Sequence, residues 1–296
     1  MTTATPPALP TAASRPKLNL ALLGLLPFLV FAVLFIGLPS LRMFTGSFTT
    51  AAGDFTLANL LEATQSRVIV DAYINSIQLS AVTAVGGGLV GFFIASAVAY
   101  GNLPSAVRRA VMTFAGLAAN FGGVPLAFSI IAIIGRTGFL TGILKTVGFD
   151  LYGTGFTIYS YPGLVIAYLY FQVPLVVVIL VPVLESLRVE WREAASNLGA
   201  SRLQYWTRVA LPILAPTLLG TLILLFGNAF GAYATAQALT GGTLNLITLQ
   251  IGSQLRGDVL GNPGLGYAMV LGMVAIMAVS IAAYSALQRR SERWLR

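Results

Sequence analysis

The sequence contains neither cysteine nor histidine, and it has few charged residues. Without these two residue types the chain can form no disulfide, no thiol nucleophile, no zinc site of the usual ligand kind and no imidazole catalyst. Only 9% of its 296 residues are charged, whereas 57% are hydrophobic. A soluble protein of this size needs far more charge on its surface, so the composition indicates a membrane protein.

The hydrophobic residues fall into six runs that are long enough to cross a bilayer, since about 20 apolar residues of helix span its hydrocarbon core. The runs cover approximately residues 19–41, 74–100, 110–134, 162–184, 211–239 and 264–288. The third run is the weakest, because Asn120, Gly122, Gly123 and Pro125 interrupt it. The pattern predicts an all-α polytopic membrane protein with six transmembrane helices and a transmembrane domain over residues 19–288.

A tail is predicted on each side of this domain. Residues 1–18 are rich in Thr, Ala and Pro and are expected to be a disordered N-terminal tail. The first run follows Arg15 and Lys17, is longer than a signal-peptide core and precedes no convincing cleavage site, so we expect a retained helix. Residues 289–296 form a basic C-terminal tail.

The distribution of basic residues predicts the orientation in the membrane. Six spans place both termini on one side, and the polar segments then fall into two sets. Twelve basic residues belong to the first set, namely Arg15, Lys17, Arg108, Arg109, Arg188, Arg192, Arg202, Arg208, Arg289, Arg290, Arg293 and Arg296. Five belong to the second, namely Arg42, Arg67, Arg136, Lys145 and Arg256. Because Lys and Arg near span ends resist translocation, the first set and both termini are predicted to face the cytoplasm.

The basic excess does not indicate a nucleic-acid partner, since these residues lie at the ends of apolar runs and form no groove with interleaved aromatics. The stretch GGGLVG, Gly86 to Gly91, satisfies the dinucleotide pattern GxGxxG, but it lies inside an apolar run. Gly87 and Gly91 also form GxxxG, which predicts close approach of two helices. The chain has no phosphate-binding P-loop and no cluster of catalytic side chains, so it is predicted not to be an enzyme.

The polar residues within the runs are amides and hydroxyls, whereas no ionisable residue lies well inside a run. A proton relay or a voltage sensor requires such charges, so neither is predicted. Hydrogen bonding between helices explains any one of the polar residues. Several of them crowd the end of the fifth run and could line a substrate path. The candidate path residues are Asn120, Gln172, Asn228, Tyr233, Thr235 and Gln237.

A polar segment, residues 185–210, separates the fourth run from the fifth. Its first part repeats apolar residues at helical spacing and predicts a helix of about ten residues with one apolar stripe. The stripe consists of Trp191, Ala194, Ala195 and Leu198. Gly199 follows directly, at a position where helices commonly end because glycine tolerates the left-handed conformation.

The second part of the 185–210 segment predicts another short helix. Ser201 and Gln204 have the spacing of a capping box, and Leu203 and Trp206 would share one side of the helix. Pro212 suits the first turn of the following span, where its missing N–H is no loss. The whole segment is therefore predicted to be a helix, a glycine turn and a helix, lying on lipid as an amphipathic hairpin or docked against a soluble partner. The alanines favour docking, because lipid burial would be better served by larger apolar side chains.

These residues carry a resemblance to a known family. The EAA motif of binding-protein-dependent ABC importer permeases is matched in spacing by Glu193, Ala194, Ala195, Gly199, Leu211 and Pro212, with Val209 in the place of its isoleucine. The stretch FTLANL at 55–60 is similar to the FTLxN stretch of these permeases, and NLGAS at 197–201 is a usual form of the motif's centre. The resemblance covers roughly residues 20–290.

The resemblance implies the MetI-like fold of type I ABC importer permeases in a bacterial inner membrane. It implies as partners ABC ATPase subunits, a second permease subunit and an extracytoplasmic solute-binding protein. The chain would bind no cofactor, since ATP and Mg would bind the ATPase. The residues implied to couple to that ATPase are Glu193, Ala194, Ala195, Leu198, Gly199, Leu203 and Trp206.

The substrate is predicted less directly. The overall pattern resembles spermidine/putrescine-type permeases, which predicts a polyamine. The absence of a carboxylate deep in any run argues against a polycation, and phosphonate, iron or another small solute remain alternatives. A secondary transporter would need intramembrane charge or an inverted repeat, and the sequence has neither.

Overall fold

The computed structural model describes residues 20–50, 52–256 and 261–292 of the chain. These residues form helices α1 (Leu20–Ala32), α2 (Leu38–Gly46), α3 (Ala58–Gln65), α4 (Arg67–Tyr100), α5 (Ser105–Asn120), α6 (Gly123–Ile134), α7 (Phe139–Thr146), α8 (Tyr161–Glu185), α9 (Val189–Asn197), α10 (Arg202–Tyr205), α11 (Leu211–Phe230), α12 (Ala234–Thr240), α13 (Ile247–Leu255) and α14 (Pro263–Glu292). The predicted N-terminal tail, residues 1–18, lies outside the described residues. The predicted C-terminal tail begins inside α14, and its residues 293–296 also lie outside.

Six segments of the described chain are long and apolar enough to cross a membrane. They are Gly24–Gly46, Arg67–Tyr100, Gly123–Thr146, Tyr161–Glu185, Arg202–Phe230 and Pro263–Gln288. The number of spans and the all-α class are confirmed, since the described residues contain one isolated β-bridge, Thr49 with Phe55, and no strand. The second span begins seven residues before the predicted start at 74, because the polar turn around Arg67 and Asp71 is part of the helix.

The run predicted at 110–134 is divided between two helices. α5 ends at Asn120 and α6 begins at Gly123, whose φ of 70° lies in the left-handed region that favours glycine. The continuous apolar segment at this point is Gly123–Thr146, which passes through α6 and α7. The predicted boundaries of the third span therefore differ from the structure, because the glycine pair breaks the helix where the sequence showed only a weakened run.

The fifth run, predicted at 211–239, also differs at both ends. The helix ends at Phe230, and α12 starts a separate short helix after Gly231. At the other end the helix extends back to Arg202 through a five-residue π segment, Trp206–Ala210. Pro212 has no N–H to donate to the carbonyl four residues earlier, and a π turn precedes it, so the chain continues without a break. The second short helix of the 185–210 segment is therefore joined to the fifth span, contrary to the prediction of a separate helix.

Helices α4, α8 and α11 form the centre of the bundle. Val176, Leu180 and Leu184 of α8 are buried against residues of α4, α5 and α11 in one hydrophobic cluster. A second cluster joins α6, α8 and α12, and a third joins α3, α4, α13 and α14. The most apolar part of the first span, by contrast, is not covered by the described residues. α11, which belongs to this core, connects the 185–210 segment at one end with α12 at the other.

Candidate functional site

The 185–210 segment contains the sharp turn that the sequence predicts. α9 ends before Gly199, whose φ is 75°. The N–H of Ala200 donates to the carbonyl of Ala195 at 2.9 Å, and the N–H of Gly199 donates to the carbonyl of Ser196 at 2.9 Å. These two bonds make the Schellman motif, which ends a helix by satisfying its last carbonyls. The predicted glycine turn is confirmed.

The helix after the turn begins with the predicted capping box. The N–H of Gln204 donates to Ser201 Oγ at 3.2 Å, and the N–H of Ser201 donates to Gln204 Oε1 at 2.7 Å. The reciprocal bonds satisfy two donors that a helix start would otherwise leave free. The turn therefore has a fixed geometry before any partner is present.

The surface of this turn is unusually apolar for an exposed segment. Leu198 is 88% exposed and Leu203 is 73% exposed, and no residue of α9 is buried within the chain. Ala194 of the predicted stripe and the neighbouring Glu193 are also exposed. The described residues therefore leave an apolar knob, formed by Leu198, Leu203 and the α9 stripe, that the chain itself does not cover.

Trp206 has a different place from the one predicted. It turns toward the bundle, away from exposed Leu203, and meets the rings of Phe92 and Tyr100 edge-on at centroid distances of 6.2 Å and 6.0 Å. Tyr100 in turn donates its hydroxyl to the carbonyl of Leu184 at 2.7 Å. These contacts connect the turn to the ends of α4 and α8.

An ion pair between Arg108 of α5 and Glu185 fixes the start of the segment. Arg188 lies over the ring of Trp191 at 5.9 Å, which orients the first turn of α9. The segment is thus held at both ends while its apolar knob stays exposed. These contacts connect the segment to α4, α5 and α8.

At the other end of α11, two helix breaks face each other. The N–H of Gly123, in the α5–α6 break, donates to Thr235 Oγ1 at 2.9 Å. In the α11–α12 break, the carbonyl of Ala232 accepts a hydrogen bond from the hydroxyl of Tyr168 at 2.8 Å. Backbone groups freed by a break inside a membrane protein must find such partners. Specific hydrogen bonds therefore stabilise both breaks, and one of these bonds is made by the candidate path residue Thr235.

The other candidate path residues are separated from one another. Gln172 is fully buried, donates weakly to Thr83 Oγ1 at 3.2 Å, and its Oε1 has no partner among the described residues. Asn120 is exposed and donates to the carbonyl of Gly116 at 3.0 Å. Asn228 is exposed on α11. The structure does not bring these three together into one site.

Tyr233 and Gln237, by contrast, line a common space. A cleft of about 400 Å³ lies between α12 and α13. We name it the α12–α13 cleft, and the residues that characterise it are Tyr233, Gln237, Gly241, Gln250, Ser253 and Arg256. Its volume falls within the roughly 300–1,000 Å³ typical of small-molecule sites. None of the described residues that line it is acidic.

A stacked pair dominates the α12–α13 cleft. The guanidinium of Arg256 lies 5.0 Å from the centre of the Tyr233 ring. Gly252, four residues before Arg256, allows the ring to lie against α13, since a Cβ at this position would come within 2.7 Å of Tyr233 Cε2. Residues four apart share a helix face, so Gly252 and Arg256 lie on the same face of α13. This face therefore provides both the space for the Tyr233 ring and the guanidinium that stacks on it.

A chain of amide hydrogen bonds attaches the cleft to the start of α4. Gln250 Nε2 donates to Asn245 Oδ1 at 2.9 Å, and Asn245 Nδ2 donates to the carbonyl of Val68 at 2.8 Å. Asn75 Nδ2 donates to the carbonyl of Asn245 at 3.0 Å. The sequence reasoning did not predict α13 or a role for Arg256. The recurrence of apolar Ile247, Ile251 and Leu255 at four-residue spacing was the available signal for a helix at this place.

Comparison with known proteins gives a consistent result. A family model described as "Binding-protein-dependent transport system inner membrane component" matches residues 89–296. The permease protein PhnU of Salmonella typhimurium, named for a 2-aminoethylphosphonate transport system, is 32% identical over 225 residues, which cover 73% of this chain and 77% of PhnU. The sulfate transport system permease protein CysW of Synechococcus elongatus is 25% identical over 228 residues, which cover 77% of this chain and 74% of CysW.

The fold is also found in a solved structure. A chain of a bacterial ABC transporter involved in the import of the acidic polysaccharide alginate superposes with a TM-score of 0.73. The match covers 92% of this chain and 95% of that chain at 19% sequence identity. This similarity establishes the shared fold, including the six-span arrangement.

Proposed function

The chain belongs to the family of binding-protein-dependent transport system inner membrane components, and from this premise we propose how it works. It is a multi-pass permease subunit of an ABC importer, and it is a transport component, not an enzyme. We propose that it forms the substrate path together with a second permease subunit, receives cargo from an extracytoplasmic binding protein and is driven by a separate ATPase.

The exposed apolar knob of the 185–210 segment is the observation that carries this proposal. It consists of a preformed glycine turn with Leu198 and Leu203 exposed, on a chain that has no P-loop of its own. Exposed apolar surface of this kind favours a protein partner, and the small Ala194 and Ala195 allow close approach. We propose that the ATPase binds here, on the cytoplasmic side, and that Glu193 meets its polar or basic groups.

Coupling follows from the way in which the segment is fixed. Closure of the ATPase around ATP would move the knob, and Trp206 and the Arg108–Glu185 pair would pass this motion to α4, α5 and α8. The two facing helix breaks near Thr235 are suited to repacking, because packed bundles switch between discrete arrangements. The candidate path residues Asn120, Gln172, Asn228, Tyr233, Thr235 and Gln237 remain proposals for contact with cargo.

The cargo predicted from the sequence, a polyamine, gains no support from the relatives. PhnU and CysW are named for 2-aminoethylphosphonate and sulfate, and each of these molecules carries an oxyanion. Titration of the cognate binding protein with spermidine, sulfate and 2-aminoethylphosphonate would identify the cargo. We expect one of the three to bind it tightly, and tight binding of spermidine would restore the polyamine prediction.

Two substitutions test the proposed docking. Glu193→Lys reverses the charge beside the knob, and Gly199→Leu places a Cβ at a left-handed φ, which strains the turn. We expect both variants to lose the ATPase during purification of the complex and to lose ATP-driven uptake. Gly148→Leu is a matched control, since Gly148 has a φ of 86° with open space around it and lies in the loop between the third and fourth spans. If Glu193→Lys and Gly199→Leu kept both the ATPase and uptake, the docking proposal would be wrong.

A further inference from the structure

The α12–α13 cleft holds a guanidinium in a fixed position. Arg256 is stacked on Tyr233 at 5.0 Å, and the absence of a side chain at Gly252 lets the ring take its place beneath it. Stacking uses the flat face of a guanidinium and leaves its N–H donors free in the plane. Within the described part of the chain no carboxylate pairs with Arg256. Tyr233 therefore holds the guanidinium in position, and none of the described carboxylates neutralises it.

The other polar groups of the cleft fit an anion better than a cation. Gln237 projects from α12 into the same space, and its amide makes no hydrogen bond to a described residue. Gln250 and Ser253 are occupied by bonds that hold the wall together, to Asn245 and to the carbonyl of Gln250 respectively. The described lining therefore offers a guanidinium and an amide, without a carboxylate to pair with a polyamine.

We infer that the α12–α13 cleft binds a small oxyanion, with Arg256 pairing to its charge and Gln237 donating to it. A planar guanidinium recognises a sulfonyl or phosphonyl group through two parallel hydrogen bonds, which gives both strength and orientation. The inference rests on the proposed function, because α11 separates the cleft from the 185–210 segment and places it on the side where an importer receives cargo. The cleft would be the first site at which the permease binds the cargo.

Chemical modification of arginine tests binding directly. The permease–ATPase complex in nanodiscs is treated with phenylglyoxal, and modification of individual arginines is followed by mass spectrometry. We expect millimolar sulfate or 2-aminoethylphosphonate to slow modification of Arg256 severalfold relative to chloride, whereas spermidine has no such effect. Arg136 is the internal control, since its guanidinium also lies over a tyrosine, Tyr152, at 5.7 Å. Gly252→Ala should weaken the protection by displacing the ring without changing any charge.

Uptake by the complete transporter gives the functional test. Arg256→Gln is compared with Arg136→Gln, which removes the same charge from another stacked pair. Uptake is measured at a saturating concentration of binding protein that is loaded with cargo. We expect Arg256→Gln to lower kcat for uptake about tenfold, since a charge-assisted pair contributes about that factor. We expect Arg136→Gln to leave kcat unchanged.

Each contrary result has a distinct meaning. Equal modification of Arg256 with and without the anions, or wild-type uptake by Arg256→Gln, would overturn the inference. Recovery of the uptake rate of Arg256→Gln at a high concentration of binding protein would also overturn the inference, because Arg256 would then pair with a carboxylate of that protein. Uptake of spermidine alone among the three probes would overturn it as well. If the wild-type complex imports none of the probes with ATP, the proposed function fails, whereas protection of Arg256 from phenylglyoxal still decides whether the cleft binds an oxyanion.

Discussion

Glycine at the α4–α8 contact shows what single residues contribute to this bundle. The predicted GxxxG pair is confirmed as a close-approach surface, since a Cβ on Gly87 would come within 2.9 Å of Gln172 Cβ and one on Gly91 within 2.5 Å of Val176 Cβ. Helices in a bilayer gain little from hydrophobic burial against each other, so close packing is a main source of their association. These two positions therefore fix how α4 and α8 meet.

Gly91→Ala is expected to destabilise the permease. The added methyl group meets the Val176 side chain and, at 3.0 Å, the carbonyl of Val173, so either α8 must move or side chains must leave their rotamers. Overpacking of this kind costs about 1–3 kcal/mol. The thermal unfolding of the purified protein, followed by size-exclusion chromatography of heated samples, should shift to lower temperature.

Gly116→Ala is the control for this prediction. A Cβ at Gly116 in α5 would meet nothing within 4 Å, so the same chemical change should leave the unfolding temperature at the wild-type value or slightly above it. Equal unfolding temperatures for Gly91→Ala and Gly116→Ala would mean that α4 and α8 are not in close contact at this point.

Gln172 marks the limit of prediction at the residue scale. Its polarity within an apolar run made it a candidate for contact with cargo, but the sequence could not show that the side chain is fully buried beside Thr83, with Oε1 unpaired in the described structure. A buried acceptor without a partner costs about 1–3 kcal/mol. In this arrangement cargo cannot reach Gln172, so any contact requires α4 and α8 to separate.

At the scale of elements, sequence periodicity predicted the helices well and the interruptions poorly. The length of the apolar runs predicted all six spans. Local capping rules predicted both the turn at Gly199 and the start of the next helix at Ser201. The break after Phe230 and the continuity through Pro212 were not predicted. The break depends on a tertiary partner, since the Ala232 carbonyl accepts a hydrogen bond from Tyr168, 64 residues away in sequence, whereas the continuity through Pro212 depends on the π turn at Trp206–Ala210. No local pattern contains that partner.

Trp206 and Trp191 should have opposite effects on coupling. Trp206→Ala removes the edge contacts with Phe92 and Tyr100 but leaves the exposed knob unchanged. The ATPase should therefore stay bound while uptake per bound ATPase falls severalfold, because the segment loses its aromatic contacts with α4. Trp191→Ala changes the exposed α9 stripe, so it should weaken ATPase binding instead. Co-purification and uptake, measured on the same preparations, separate the two effects.

The crossed comparison is what makes this prediction specific. A general loss of stability would reduce ATPase binding and uptake together in both variants. Retention of normal uptake by Trp206→Ala would show that the aromatic contacts with α4 carry no motion.

At the scale of the whole molecule, the sequence predicts the fold class, the number of spans and the segment proposed to bind the ATPase, but not the α12–α13 cleft that we propose for cargo. The α12–α13 cleft joins residues from two short helices through a network that reaches back to Val68 and Asn75. Long-range contacts of this kind leave no periodic trace in the sequence.

The first span is exposed because apolar helix faces need no protein cover in a bilayer.

The orientation of the chain remains a prediction from the distribution of Lys and Arg, and the absence of cysteine makes it simple to test. Ser196→Cys lies in the 185–210 segment and Thr154→Cys in the loop before α8, so a single span separates two exposed positions. A membrane-impermeant maleimide added to spheroplasts should label Thr154→Cys alone, and inside-out vesicles should give the reverse pattern.

The same cysteines connect orientation to mechanism. In inside-out vesicles, added ATPase should protect Ser196→Cys from the maleimide, because the residue is exposed on α9, the helix that carries the proposed docking stripe. It should not change the labelling of Thr154→Cys in membranes that have been disrupted to expose this residue. Labelling of Ser196→Cys from the outside would place the knob where no ATPase can reach it. In that case the α12–α13 cleft would face the cytoplasm, and neither coupling through Trp206 nor entry of cargo at Arg256 could operate as proposed.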